Sequence, residues 1–272
     1  MKKTFWLILF FGFLLFWSAC KQGTGPLPDQ PAGKIRIEFS HEVDGSPLKF
    51  DTLRYINQAG NPYLVSNIQY FISDVCLHKS NGDSLMINHW EDIHYVDTDI
   101  PETWTYSLKD DVPDGSYSSV SFTFGINAEK NQTLMYVNPP ESDMFWPVYL
   151  GGGYHYMKLN GKWRDPNGVI RPFNFHLGIG QTYDSTGNIT GFIQNYFKVT
   201  LPNSGFQISK GQIANLQLVM NVNEWFRDPH NFDFNQWGGD IMQKQAAMQI
   251  AKENGHNVFS VKKINIMVIN KK

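Results

Sequence analysis

Hydrophobic and polar residues alternate along much of this chain, and the period is two. Ile35, Ile37 and Phe39 are interleaved with Lys34, Arg36 and Glu38, which is how a strand with one buried face reads. Further strands are predicted over residues 70–77, 117–124, 155–159, 173–177, 192–201, 213–222 and 258–269. Turn clusters separate them: Ser80-Asn81-Gly82-Asp83, Pro113-Asp114-Gly115 and Asp184-Ser185-Thr186-Gly187-Asn188, all rich in residues that tolerate tight backbone geometry. One segment has helical character, from Asp240 as N-cap through Ala251 to a stop at Asn254-Gly255, and a shorter helical turn is expected at 223–226. Many strands, short turns and no regular helical crossovers predict an all-β fold. The expected architecture is an antiparallel β-sandwich or barrel-like domain with one or two short helices near the C-terminus.

The first twenty residues break this pattern. Lys2 and Lys3 precede an apolar run from Phe5 to Trp17, then Ser18, Ala19 and Cys20. The run is about 13 residues, short of the roughly 20 that cross a bilayer, and no basic stop-transfer cluster follows it. It reads as a signal peptide. Ser-Ala-Cys resembles a lipobox, with Trp17 where an aliphatic residue is usual, and makes Cys20 the expected lipidation site. Residues 21–33, rich in Gly and Pro, read as a flexible tether, and residues 34–272 as one β domain. The expected location is the cell envelope, lipid-anchored. The outer membrane, on its periplasmic or surface face, is favoured because Lys21 and Gln22 follow the cysteine where Asp would argue for inner-membrane retention.

Composition narrows the function. The formal net charge is −2 over 272 residues, with both signs scattered, so nucleic acid is not an expected partner. The chain has two cysteines; once Cys20 carries lipid, Cys76 has no disulfide partner, and its strand context reads as a buried small residue. Phosphate-binding loops, nucleophile elbows, Cys-x-x-Cys pairs, His-Glu-x-x-His and haem-attachment motifs are all missing from the sequence. Neighbouring carboxylates such as Glu91 with Asp92 and Asp97 with Asp99 have no spacing that sets them apart from solvated loops. An enzyme is not expected.

The segment from Phe122 to Gly180 carries a more specific signal. It runs through Phe122-Thr123-Phe124-Gly125-Ile126-Asn127, Met144-Phe145-Trp146-Pro147, Gly151-Gly152-Gly153-Tyr154-His155-Tyr156-Met157 and Phe173-Asn174-Phe175-His176-Leu177-Gly178. Upstream stand Asn67 to Val75 and His94-Tyr95-Val96-Asp97, and downstream Asn221-Val222-Asn223-Glu224-Trp225-Phe226. In order and spacing these motifs resemble the MbnP-like family of periplasmic and surface copper-binding proteins, in the form of its Bacteroidetes-type lipoprotein branch. The resemblance implies copper held by two histidines beside a tryptophan that a partner dihaem enzyme oxidises to kynurenine. It places one ligand at His176, the second near His94, and the modified tryptophan at Trp90. A copper transport partner is the other expected contact besides the membrane.

Chemistry permits this independently. Imidazole suits copper and zinc, Cu(I) accepts as few as two or three ligands, and two strand-borne histidines suffice. Each needs its second ring nitrogen fixed by a carboxylate or carbonyl, for which Asp92 and Asp97 are candidates. His155, between two tyrosines, and His41 are alternative ligands; His78, His230 and His256 read as loop or surface residues. For each strand histidine the plain alternative is a hydrogen-bonded structural role. Trp146 reads as packing, and the three glycines at 151–153 as a turn needing positive φ or close approach. The sequence thus supports a copper capture, storage or handover lipoprotein. Two other readings stay open: a surface module that binds small molecules, peptides or glycans on Trp104, Trp163, Trp225 and Trp237, and a structural lipoprotein without a metal site.

Overall fold

The computed structural model describes residues 32–90 and 93–268, and residues 31–272 form one compact unit. Cys20 and most of the expected tether lie outside the described residues. The domain begins slightly earlier than the alternation suggests, because strand β1 already starts at Ala32 (Ala32–Val43). Next come β2 (Pro62–His78), β3 (Ser84–Ile87), β4 (Ile93–Asp97) and β5 (Ser119–Phe124). They are followed by β6 (Met157–Arg164), β7 (Ile170–Leu177), β8 (Gly180–Tyr183), β9 (Ile189–Ile193) and β10 (Phe197–Leu201). The chain ends with β11 (Gln212–Asn221), helix α1 (Gln245–Asn254) and β12 (Phe259–Val268).

Two sheets build the core. In the first, β1 lies parallel to β11, and β11 pairs antiparallel with β12. The second is antiparallel, in the order β7-β6-β2-β5-β10, with β3 and β4 also paired to β2. The all-β expectation holds, with one parallel pair in place of a purely antiparallel arrangement.

β2 organises the second sheet. Its inner face carries Ile68, Tyr70 and Ile72, and Tyr70 meets Phe39 of β1 and Phe259 of β12 across the sandwich. The outer face is covered as well. Phe71 packs against Tyr95 and against Tyr154, which belongs to the long segment between β5 and β6. A strand buried on both faces loses the polar half of its alternation, which explains the nearly unbroken apolar run around 70–77.

The helix departs from expectation at its start. It begins at Gln245 after Lys244, not at Asp240. The Asp240 carboxylate accepts the Met242 N–H in a local turn, while the Asn174 N–H donates to the Gly239 carbonyl and Asn174 bridges Asp240. Pairing to the edge of β7 holds this backbone out of the helix. The short turn at 222–226 is a 3-10 helix capped by the Asn221 side chain.

Candidate metal centre

Facing residues of antiparallel strands point to the same side of a sheet, so the register shows which histidines can meet. His176 of β7 pairs with Lys158 of β6, Lys158 with Gln69 of β2, and Gln69 with Asp97 of β4. This row lies on the outer face, where the Gln69 side-chain amide donates to the Asp97 carboxylate. His94 is three residues from Asp97 on a strand and therefore points the opposite way. Its ring stacks on Tyr106 at 4.3 Å and on Phe39 at 5.9 Å, between the sheets, with Nε2 2.8 Å from the Thr103 carbonyl. The structure does not bring His94 and His176 together.

It brings His155 to His176 instead. Their ring centroids are 5.1 Å apart and the rings nearly perpendicular. His155 arrives on the segment that crosses the outer face before β6. Its N–H donates to the Met144 carbonyl, and the same carbonyl lies 2.9 Å from its Nδ1, which leaves Nε2 as the ring atom available. Nε2 of His176 is 2.8 Å from the Asn160 amide oxygen, one turn of the pleat along β6 from Lys158. The other nitrogen, Nδ1, is buried and has no hydrogen-bond partner among the described residues.

The segment is held tightly over the pair. Trp146 meets His155 edge-on at 4.7 Å, its indole N–H donating to the Leu150 carbonyl, and it is wholly buried. Gly178 permits that packing, because a β-carbon there would fall 2.5 Å from the Trp146 ring. All three of Gly151, Gly152 and Gly153 have positive φ. At Gly153, a β-carbon would also collide with Asn131, whose amide oxygen accepts the Tyr154 N–H.

Electrostatics keeps both rings neutral. Burial, then His176 and Lys158, push His155 down to about 3; burial and Lys158 bring His176 to about 4. Neutral imidazole is the metal-binding form. Lys158 is itself shifted down by burial and donates to the Asp143 carbonyl, with Asp143 and Asp97 opposing the shift. Its positive charge disfavours a highly charged guest and a protonated histidine alike.

Other sequence expectations fall elsewhere. His41 sits between the sheets, its Nε2 3.3 Å from the Tyr70 hydroxyl and its ring against Trp104, and burial lowers it to about 4. Trp90 is 64 % exposed and contacts His89, so the tryptophan touching a histidine of the pair is Trp146. Asp97 serves Gln69, Tyr95 and Asn67, not a histidine ring; Asp92 lies outside the described residues. Asn160, the Met144 carbonyl and Lys158 were not anticipated. The one sequence hint was that Asn160 and Lys158 share the outward phase of β6.

The family model named MbnP matches residues 32–244. The chain belongs to the MbnP family. Among solved structures, MbnP from Methylosinus trichosporium is similar at 16 % identity with a TM-score of 0.45, over 68 % of this chain and 76 % of that one. Comparison with curated protein sequences gives no match. In this MbnP-family chain, no cluster of three or more His, Cys, Asp or Glu residues suited to a metal occurs among the described residues; beside Trp146 the donors are the two imidazoles.

Proposed function

We propose that this MbnP-family chain binds copper at His155 and His176 and works in the cell envelope, lipid-anchored, by capture, storage or handover and not by turnover. The observation that carries the reading is the buried His176 Nδ1 without a hydrogen-bond partner beside the His155 ring. An orphaned buried polar atom costs roughly 1–3 kcal/mol, and a bound ion at that atom removes the cost. Metal–nitrogen bonds of about 2 Å require the two rings nearly in contact, as they are. Each ring has its second nitrogen fixed, by Met144 and by Asn160, which is the support a ligating imidazole needs. Two neutral donors next to Lys158 suit Cu(I), whose charge is single and whose coordination number is low. Trp146 walls the pair, in the place the resemblance gave to Trp90.

Stacking of a ligand on tryptophans has less to recommend it. Trp225 and Trp163 are buried, and Trp104 and Trp237 pack against the core, so these four rings form no open platform.

Competition against a chelator of known affinity, with Cu(I) and Cu(II), tests the copper reading on residues 31–272. His155→Ala and His176→Ala should each lose more than the roughly 10- to 100-fold that removal of a supporting residue costs. His94→Ala and His41→Ala should keep wild-type affinity. Wild type binding no tighter than His155→Ala would sink the proposal.

A further inference from the structure

A second set of soft donors lies on the outer face, at the other end of β2. Asp74 has φ of 51°, and the β2–β5 register shifts there by one residue. The bulge turns Cys76 and His78 outward, in phase with Ser121 of β5. Cys76 faces Ser121 on one side and Met86 of β3 on the other. Directly opposed residues on neighbouring strands have β-carbons about 5 Å apart, so the Cys76 and Met86 sulfurs share one patch. His78 stands two residues along β2 at the edge of the patch, where its Nε2 is 2.7 Å from the hydroxyl of Ser121, the residue facing Cys76.

Cys76, Met86 and Ser121 line a cavity of about 340 Å³. Cys76 is only 8 % exposed, and its thiol is not engaged in a disulfide. The charges on the cavity wall cancel. Asp74 is paired to Lys130 at 2.6 Å, and Glu129 is balanced by Lys198. A hard divalent ion finds no uncommitted carboxylate pair here, whereas thiol, thioether and imidazole in a cavity without net charge are the donors that soft monovalent ions select.

We propose that Cys76, Met86 and His78 form a second metal site, for a soft monovalent cation of the Cu(I) or Ag(I) type. On binding, the Cys76 S–H bond breaks, the proton passes to solvent and a sulfur–metal bond forms; Met86 and His78 add neutral lone pairs, and nothing is oxidised or reduced. The site does not depend on the His155–His176 reading. It gives the chain two stations for the same class of ion, on one sheet face and with different donors.

Ag(I) is the probe, because it is redox-inert, followed by Cu(I) under reducing conditions, with residues 31–272. Wild type should take up two equivalents, and Cys76→Ser one, with loss of the ultraviolet thiolate-to-metal band. Met86→Leu and His78→Gln should each weaken the thiolate-linked equivalent at least tenfold, and His176→Ala should remove only the other. Met86 is 47 % exposed, so its variant gives the readout even if Cys76→Ser fails to fold. Two equivalents retained in Cys76→Ser overturn the site. Wild-type affinity in both Met86→Leu and His78→Gln also overturns it, since the thiol then acts alone. Loss of one equivalent in Cys76→Ser with none in His176→Ala would leave this site standing and remove the histidine pair.

Discussion

At His176 the tautomer is chosen by Asn160. Its amide oxygen can only accept, so the imidazole proton sits on Nε2 and the lone pair is left on the buried Nδ1. Asn160→Ala removes that choice without touching the core, since Asn160 projects from the outer face between buried Leu159 and Gly161. Copper affinity should fall by roughly 10- to 100-fold while the denaturation midpoint stays near wild type; unchanged affinity in a chelator competition would show that Asn160 does not position the ligand. His176 was legible as a candidate through the family resemblance, and His155 as an alternative strand histidine between two tyrosines. Which two of the four would meet was not legible. That depends on which strands are neighbours, and His94 is excluded only once its phase relative to Asp97 is set against the register of three other strands. Asn160 had no sequence signal of its own, since an outward-facing strand asparagine is ordinary.

The element that makes the site is irregular. Residues 125–156 cross the outer face in turns and short 3-10 pieces, and their hydrogen bonds converge on the triple glycine: Gly153 N–H on the Thr133 hydroxyl, Trp146 N–H on the Gly153 carbonyl, Tyr154 N–H on Asn131. The glycine run was readable as a demand for positive φ, and all three residues meet it. Its purpose was not readable, because the partners are twenty residues upstream. Gly153→Ala places a methyl 2.6 Å from the Asn131 amide oxygen at a φ of +75°. Overpacking of this kind costs about 1–3 kcal/mol. The urea midpoint should drop accordingly, and copper affinity with it, because His155 is anchored through Met144 on the same segment. A midpoint equal to wild type would mean that the segment is not pinned at Gly153. Regular elements were easier. Period-two strands lie near their expected places, whereas β3, β4, β8 and the first half of β2 carry no such expectation, and the strand expected over 192–201 is divided between β9 and β10. The helix start was misjudged because strand pairing at Gly239 and Asp240 outweighed a good capping residue.

Across the whole molecule, three histidines are folded in as neutral bases: His155 at about 3, His176 at about 4 and His41 at about 4, each lowered first of all by burial. In the unfolded chain they return to the ordinary value near 6.5. Between those limits the unfolded state binds protons that the folded state does not, so stability is greatest above pH 6.5 and falls as pH drops toward 4. Each histidine contributes about 2.5 kcal/mol of that loss by pH 4.5. The carboxylates lowered by hydrogen bonds and ion pairs, Asp74 and Asp97 among them, have the same sign but act below their ordinary value of 3.8. Histidines therefore dominate from pH 6.5 to 4.5. Urea unfolding of residues 31–272 should show a midpoint that declines steadily through that window, with uptake of close to three protons per chain on unfolding near pH 5. His41→Gln should remove about one of the three and leave copper affinity intact, whereas copper bound at the pair should raise the midpoint by about the same amount across the window, because both rings are already free of protons in the folded state there. A midpoint flat from pH 7.5 to 4.5 would show that these rings are protonated in the folded state, and the neutral two-histidine donor set would go with it.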